Sequence, residues 1–136
     1  MAELILNIDV DDVEEAVRFY TSALGLRVGR RLEGGYTELL GAGIPIFLLP
    51  AHPGTMPFPG ATRKRDYVRH WTPLHLDVVV EDIEAAVARA RAAGARVELP
   101  VAQQPYGKLA VLSDPFGHGF CLLQLEGRGY GAIEER

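Results

Sequence analysis

The chain reads as an α+β protein made of two βαβββ modules, and three observations support that reading. The sequence repeats itself: "ILNIDVDDVEEAV" at 5–17 matches "HLDVVVEDIEAAV" at 75–87, with Val10 answered by Val80, Asp12 by Asp82, Glu14 by Glu84 and Val17 by Val87. Each copy opens on an alternating apolar pattern and then shifts to a helical period. Behind each helix lie three further strand-like segments divided by glycine turns.

In the first copy, Leu4, Leu6, Ile8 and Val10 fall on one face of a strand and Ile5, Asn7 and Asp9 on the other. A helix follows, because Val13, Ala16, Val17, Tyr20 and Leu24 share one stripe. Its N-cap is either Asp11, with Glu14 three residues on as a capping pair, or the adjacent Asp12. Gly25 supplies the left-handed stop. "LRVGRRLE", the Gly34-Gly35 turn, "YTELLG", the Gly41-Ala42-Gly43 turn and "IPIFLLP" then give three strands. The second copy runs in parallel. Leu74, Leu76, Val78 and Val80 oppose His75, Asp77 and Val79; Ile83, Ala86, Val87 and Ala90 form the helical stripe, and Gly94 ends it. "ARVELP", "KLAVLSD" and "GFCLLQLE" are its remaining strands.

This divides one domain into module one at 1–50, a linker at 51–72, module two at 73–126 and a loose tail at 127–136. The linker carries Pro53, Pro57 and Pro59, the basic run Arg63-Lys64-Arg65 and Trp71, too broken for regular structure and long enough for a lid. A chain of 136 residues with 48% hydrophobic residues buries a sufficient core without disulfides, and a single cysteine allows no intrachain bridge. A formal net charge of −4 offers no positive field for a phosphate backbone, which excludes nucleic acid as the expected partner. No apolar run approaches bilayer length, so no membrane partner is expected. The N-terminus lacks the basic and apolar regions of a secretory signal, and the expected location is the cytoplasm.

The paired strand-to-helix junctions, "FYTSALGLRV" after the first and "DPFGHGFCLL" opening the last strand together resemble the vicinal oxygen chelate superfamily, which includes glyoxalases, bleomycin-resistance proteins and extradiol dioxygenases. The resemblance covers about residues 3–125. It implies that the two modules form a curled eight-stranded sheet around a cup, that the protein is a homodimer, and that metal-binding relatives hold a divalent ion with His or Gln from each first strand and Glu from the last strands. Carried onto this chain, the first-strand positions are Ile5 and His75, the last-strand position of module two is Cys121, and that of module one falls near Leu48. One imidazole does not hold a divalent ion against water, so neither the family metal nor any other cofactor is expected.

The expected activity is therefore capture of a small organic ligand, with His75, Cys121, Trp71, Tyr36, Phe47, Asn7 and Asp77 as candidate binding residues and no catalytic residue assigned. Phe58, Tyr67 and Tyr106 complete the aromatic residues expected on strands or at a rim. The alternative is a metal-dependent lyase, isomerase or dioxygenase using His75, with Glu38 as the further ligand and His70 from the linker as another donor. A third class is a structural dimer whose cup is filled by its own side chains. A thiolate–imidazole pair between Cys121 and His75 is weighed against a buried, inert thiol. His118, after Asp114-Pro115-Phe116-Gly117, is read as a turn residue.

Overall fold

The computed structural model describes residues 1–135. In chain order the elements are β1 (Leu6–Val10), α1 (Val13–Leu24), β2 (Arg27–Arg31), β3 (Thr37–Leu40) and β4 (Ile46–Pro50), then β5 (Leu76–Val79), α2 (Ile83–Ala93), β6 (Arg96–Gln104), β7 (Gly107–Ser113) and β8 (Gly119–Leu125). Short 3₁₀ turns occupy Glu33–Gly35 and Gly129–Ile133. The fold is α+β, with a βαβββ module in each half. The chain divides into two units, one spanning Met1–Val68 and the next beginning at Arg69, so the segment read as one linker belongs mostly with the first module.

The first unit holds a four-stranded sheet in the order β1-β4-β3-β2. β1 and β4 are parallel, with Asn7 opposite Phe47, and the other pairs are antiparallel. A hairpin turn cannot join parallel neighbours, so α1 and two intervening strands separate β1 from β4 in sequence. Ile8, Val10, Leu39, Ile46 and Leu48 supply the sheet's share of the core and Ala16, Phe19, Tyr20 and Ala23 the helix's. The buried stripe is thus rotated from the expected one: Val13, Val17 and Leu24 lie at its margin, and Phe19 is 2% exposed, edge-on to Tyr20 at 4.9 Å. The large ring at 19 gains more from burial than the valines beside it, and it sets the helix's roll.

The second unit repeats the plan in the order β5-β8-β7-β6, with β5 and β8 parallel and Asp77 opposite Cys121. Ile83, Ala86 and Ala90 pack as the stripe predicts, among Phe120, Leu122, Leu112 and Ala110 in the core. β6 runs well past the expected end at Pro100, to Gln104, because a proline is tolerated on an edge strand where the ladder slips; register shifts flank Leu99 on both sides.

Both helices start and stop by the same chemistry. Asp12 Oδ1 accepts from the Glu15 N–H at 3.0 Å, and Asp82 Oδ1 from the Ala85 N–H at 3.2 Å. Gly25 and Gly94 close the helices in left-handed backbone. Asp12 rather than Asp11 is therefore the first cap, and Asp11 instead faces His52 at 3.0 Å. The Asp114-Pro115-Phe116-Gly117 turn is fixed by Asp114 Oδ1, which accepts from the N–H groups of Phe116 and His118 at 2.8 and 2.9 Å. That turn aims the chain into β8. Among the described residues no helix is long and apolar enough to cross a membrane.

Candidate functional site

In the second unit, strand alternation sends Leu76 and Val78 to one face of β5 and His75, Asp77 and Val79 to the other. On β8, Cys121 shares the face of its partner Asp77, while Phe120 and Leu122 take the opposite face. The result is a compact polar cluster at the pairing of β5 with β8. His75 Nε2 lies 3.4 Å from Asp77 Oδ1, and one ligand atom each from His75, Asp77 and Cys121 all fall within 4.8 Å of one another. Cys121 is 3% exposed, whereas the side chains of His75 and Asp77 reach solvent. Burial pushes the Cys121 thiol up to about 11, and the Asp77 charge and the hydrogen bond the thiol donates to that carboxylate push in the same direction. Cys121 at neutral pH is therefore a thiol, which removes the thiolate–imidazole pair as the resting state.

Trp71 packs on His75 with ring centroids 4.6 Å apart and stays half-exposed. Arg69 supports the indole: its guanidinium carbon lies 5.9 Å from the ring centroid and it holds Glu98 through two bonds of 2.5 and 2.7 Å. That pair holds the guanidinium above its ordinary range and the carboxyl below. In the same unit Tyr130, from the 3₁₀ turn in the segment expected to be loose, packs on Tyr106 at 5.2 Å. Burial and then the Asp77 charge raise its phenol. His75, Asp77, Cys121 and Trp71 thus lie together in the second unit, and Tyr130, whose glycine-rich flanks carry no strand or helix signal, is not among the residues the sequence singles out.

In the first unit the equivalent row is Asn7, Phe47 and Glu38 across β1, β4 and β3. Asn7 opposite Phe47 corresponds to Asp77 opposite Cys121, which makes Phe47 the first module's last-strand position. Leu48, the position expected from the sequence, is fully buried among the core residues, one residue out of phase and so on the opposite face. Ile5 is 61% exposed. Glu38 is 5% exposed and already satisfied: it accepts from Arg30 Nε at 3.1 Å, from Arg30 Nη2 at 2.7 Å and from the Arg30 backbone N–H at 3.1 Å. A ladder irregularity between Val28 and Arg31 frees that N–H, and the bonded arginine holds the Glu38 carboxyl below its usual range. Glu38 is accordingly the ion-pair partner of Arg30, an engagement the sequence reading of Glu38 as a possible metal ligand does not include; no sequence signal announces the irregularity. Arg30 also lies over Phe47, 6.0 Å from the ring centroid.

Tyr36 precedes β3 by one residue. It lines an open cleft of about 610 Å³ at the start of α1 with Asp12, Glu14, Arg31 and Thr37. Of the linker aromatics, Tyr67 donates to the Ala51 carbonyl at 2.7 Å, and Phe58 is exposed.

Residues 5–123 match the family model described as a glyoxalase-like domain. Uncharacterized proteins of Mycobacterium bovis and Mycobacterium tuberculosis are each 30% identical over 118 residues, 85% of this chain and respectively 78% and 69% of theirs. Among solved structures, a glyoxalase/bleomycin resistance protein/dioxygenase family enzyme from Burkholderia phytofirmans superposes with a TM-score of 0.73 at 18% identity, covering 92% of this chain and all of that one (100%). TioX from Micromonospora gives 0.68 at 20% identity, with 93% and 100% covered. TnmS3, an antibiotic binding protein from Streptomyces, gives 0.65 at 21% identity, with 93% and 97% covered. At these identities the likeness is one of fold.

Proposed function

The chain belongs to the glyoxalase-like domain family, and from that premise we propose that it captures a small organic molecule, without the family's four-ligand metal centre. The carrying observation is the tilted ring contact of Trp71 on His75, beside Asp77 and Cys121. A half-exposed indole held from behind by Arg69 offers a preordered surface for a planar ligand, and Asp77 and His75 offer polar points to orient it. The donor set argues against the family metal: module one brings Ile5 and Phe47 to the inherited positions, both apolar, and its nearby carboxylate, Glu38, is occupied by Arg30. A fold neighbour described as an antibiotic binding protein supports the same class of activity. The reading extends to a homodimer in the cytoplasm, and sedimentation at micromolar concentration reads the dimer directly.

Trp71 is the chain's single tryptophan, so its fluorescence reports on the site alone. In chelator-treated protein, a panel of planar aromatic compounds is expected to include one that quenches it saturably, with affinity lowered about tenfold or more in His75→Ala, a loss of about 1.4 kcal/mol. If every compound in a chemically broad panel leaves both emission and calorimetric heat unchanged, the proposal fails.

A further inference from the structure

Arg69, which lies over the Trp71 ring, is itself seated by two residues that do not belong to the polar cluster, and one of them is a glycine whose backbone does not require one. Gly119 opens β8 opposite Ser113, and its φ lies outside the left-handed region. What it provides is space. A Cβ there would stand 2.5 Å from Arg69 Nη2, 2.9 Å from Cζ and 3.0 Å from Nη1, so the guanidinium occupies the place of the missing side chain. Glu98 completes the seat. Val97 pairs with Leu112 and Leu99 with Val111, which makes Glu98 the extra residue where the β6–β7 ladder slips. Its carboxylate grips Arg69 at Nε and Nη2, at 2.5 and 2.7 Å, and also accepts from Ser113, the ladder partner of Gly119. Nη1 donates to the His70 carbonyl. Every guanidinium nitrogen thus engages a protein acceptor, and the same group stands 5.9 Å from the Trp71 ring centroid.

We propose, on the reading that Trp71 contacts the ligand, that Gly119 and Glu98 are positioning residues of the capture site: together they fix Arg69, and Arg69 fixes the indole in the orientation a planar ligand meets. The consequence is preorganisation. A half-exposed side chain that is not held changes rotamer in picoseconds to nanoseconds, and a ligand that must stop this motion binds more weakly. The seat stops it before the ligand arrives. Lysine does not replace Arg69, because a compact ammonium cannot fork across a carboxylate while lying over a ring. A methyl group at 119 meets only the end of a flexible side chain, so it displaces the guanidinium and leaves the strand in place.

The test reads the single tryptophan of the ligand-free full chain. Time-resolved fluorescence anisotropy is expected to show the native indole turning with the whole protein, and Gly119→Ala, Glu98→Gln and Arg69→Lys each to add a subnanosecond component. In proton resonance spectra the His75 ring, 4.6 Å from the indole, is expected to lose in those variants the ring-current displacement it shows in the native chain. In an Arg69→Ala background, Gly119→Ala is expected to have no further effect on Trp71, whereas a plain strand defect would act in both backgrounds. Planar compounds that quench the native emission are expected to bind the variants about three- to tenfold more weakly. Circular dichroism confirms that each variant folds, and should Gly119→Ala fail to, Glu98→Gln and Arg69→Lys decide. A native indole that already moves freely, variants that leave its anisotropy or the affinity for such a compound unchanged, or a Gly119→Ala effect that persists without Arg69 overturns the proposal. If no compound binds the native chain, the ligand reading fails by itself, and the anisotropy still decides whether Gly119 and Glu98 hold the indole through Arg69.

Discussion

Replacing Asp77 with Asn tests how the site controls its thiol. Cys121 sits at 3% exposure with its ionisation raised from 9.0 to about 11, burial contributing most and Asp77 adding both its charge and a hydrogen bond. A displacement of that size leaves about a hundredfold less thiolate near neutral pH and corresponds to about 3 kcal/mol between the two protonation states. The folded chain keeps the proton where the unfolded chain has lost it. The contribution to stability is therefore complete below pH 9 and is lost as pH rises through about 11. In chelator-treated protein, far-ultraviolet thiolate absorbance is read as a difference against Cys121→Ala. The native midpoint is expected near 11, and Asp77→Asn to bring it down by about one pH unit, because the burial remains. Urea midpoints of the native chain are expected to fall relative to Cys121→Ala between pH 9 and 11. A native midpoint close to an ordinary thiol, or one that Asp77→Asn leaves in place or raises, would refute the reasoning.

Other perturbations address the frame around the site. Asp12→Ala and Asp82→Ala each remove a helix cap and are expected to cost about 1 kcal/mol in urea unfolding. Leu122, fully buried, is expected to cost about 2–5 kcal/mol on truncation to Ala, whereas the same change at Leu125, 41% exposed, costs about 1 kcal/mol or less. Gly107→Ala places a Cβ onto the Gln124 carbonyl where β7 meets β8, and is expected to destabilise by about 2 kcal/mol or more with loss of amide protection in that ladder. Arg30 lowers the Glu38 carboxyl in the folded chain, a stabilisation present above the unfolded carboxyl value and lost as pH falls through the folded one. Acid unfolding of Arg30→Ala should lack that part of the pH dependence.

How far the site is legible in the sequence depends on what each residue requires. The caps at Asp12 and Asp82 and the glycine stops are local, and the repeat displays them twice, although choosing Asp12 over Asp11 takes the observed bond to Glu15. Cys121 and His75 are singled out by the family resemblance, which counts from the Asp-Pro-x-Gly turn and the strand-end valine. The matching position in module one is not legible: Leu48 and Phe47 differ by one residue, and in a strand one residue is the whole difference between core and open face. Glu38 is illegible for another reason. Its partner is reached through an irregular ladder between β2 and β3, and period-two patterning carries no trace of where a ladder slips.

Periodicity, turn chemistry and internal repetition determine by themselves that the chain is two βαβββ modules and where the helices start and stop, because those properties depend on neighbours a few positions apart. Strand order, the pairing of Asp77 with Cys121, the docking of Trp71 on His75 and the engagement of Glu38 by Arg30 were decided only in three dimensions. Each of them depends on which segments meet across the sheet, and a donor's chemistry is set by the groups that share its space.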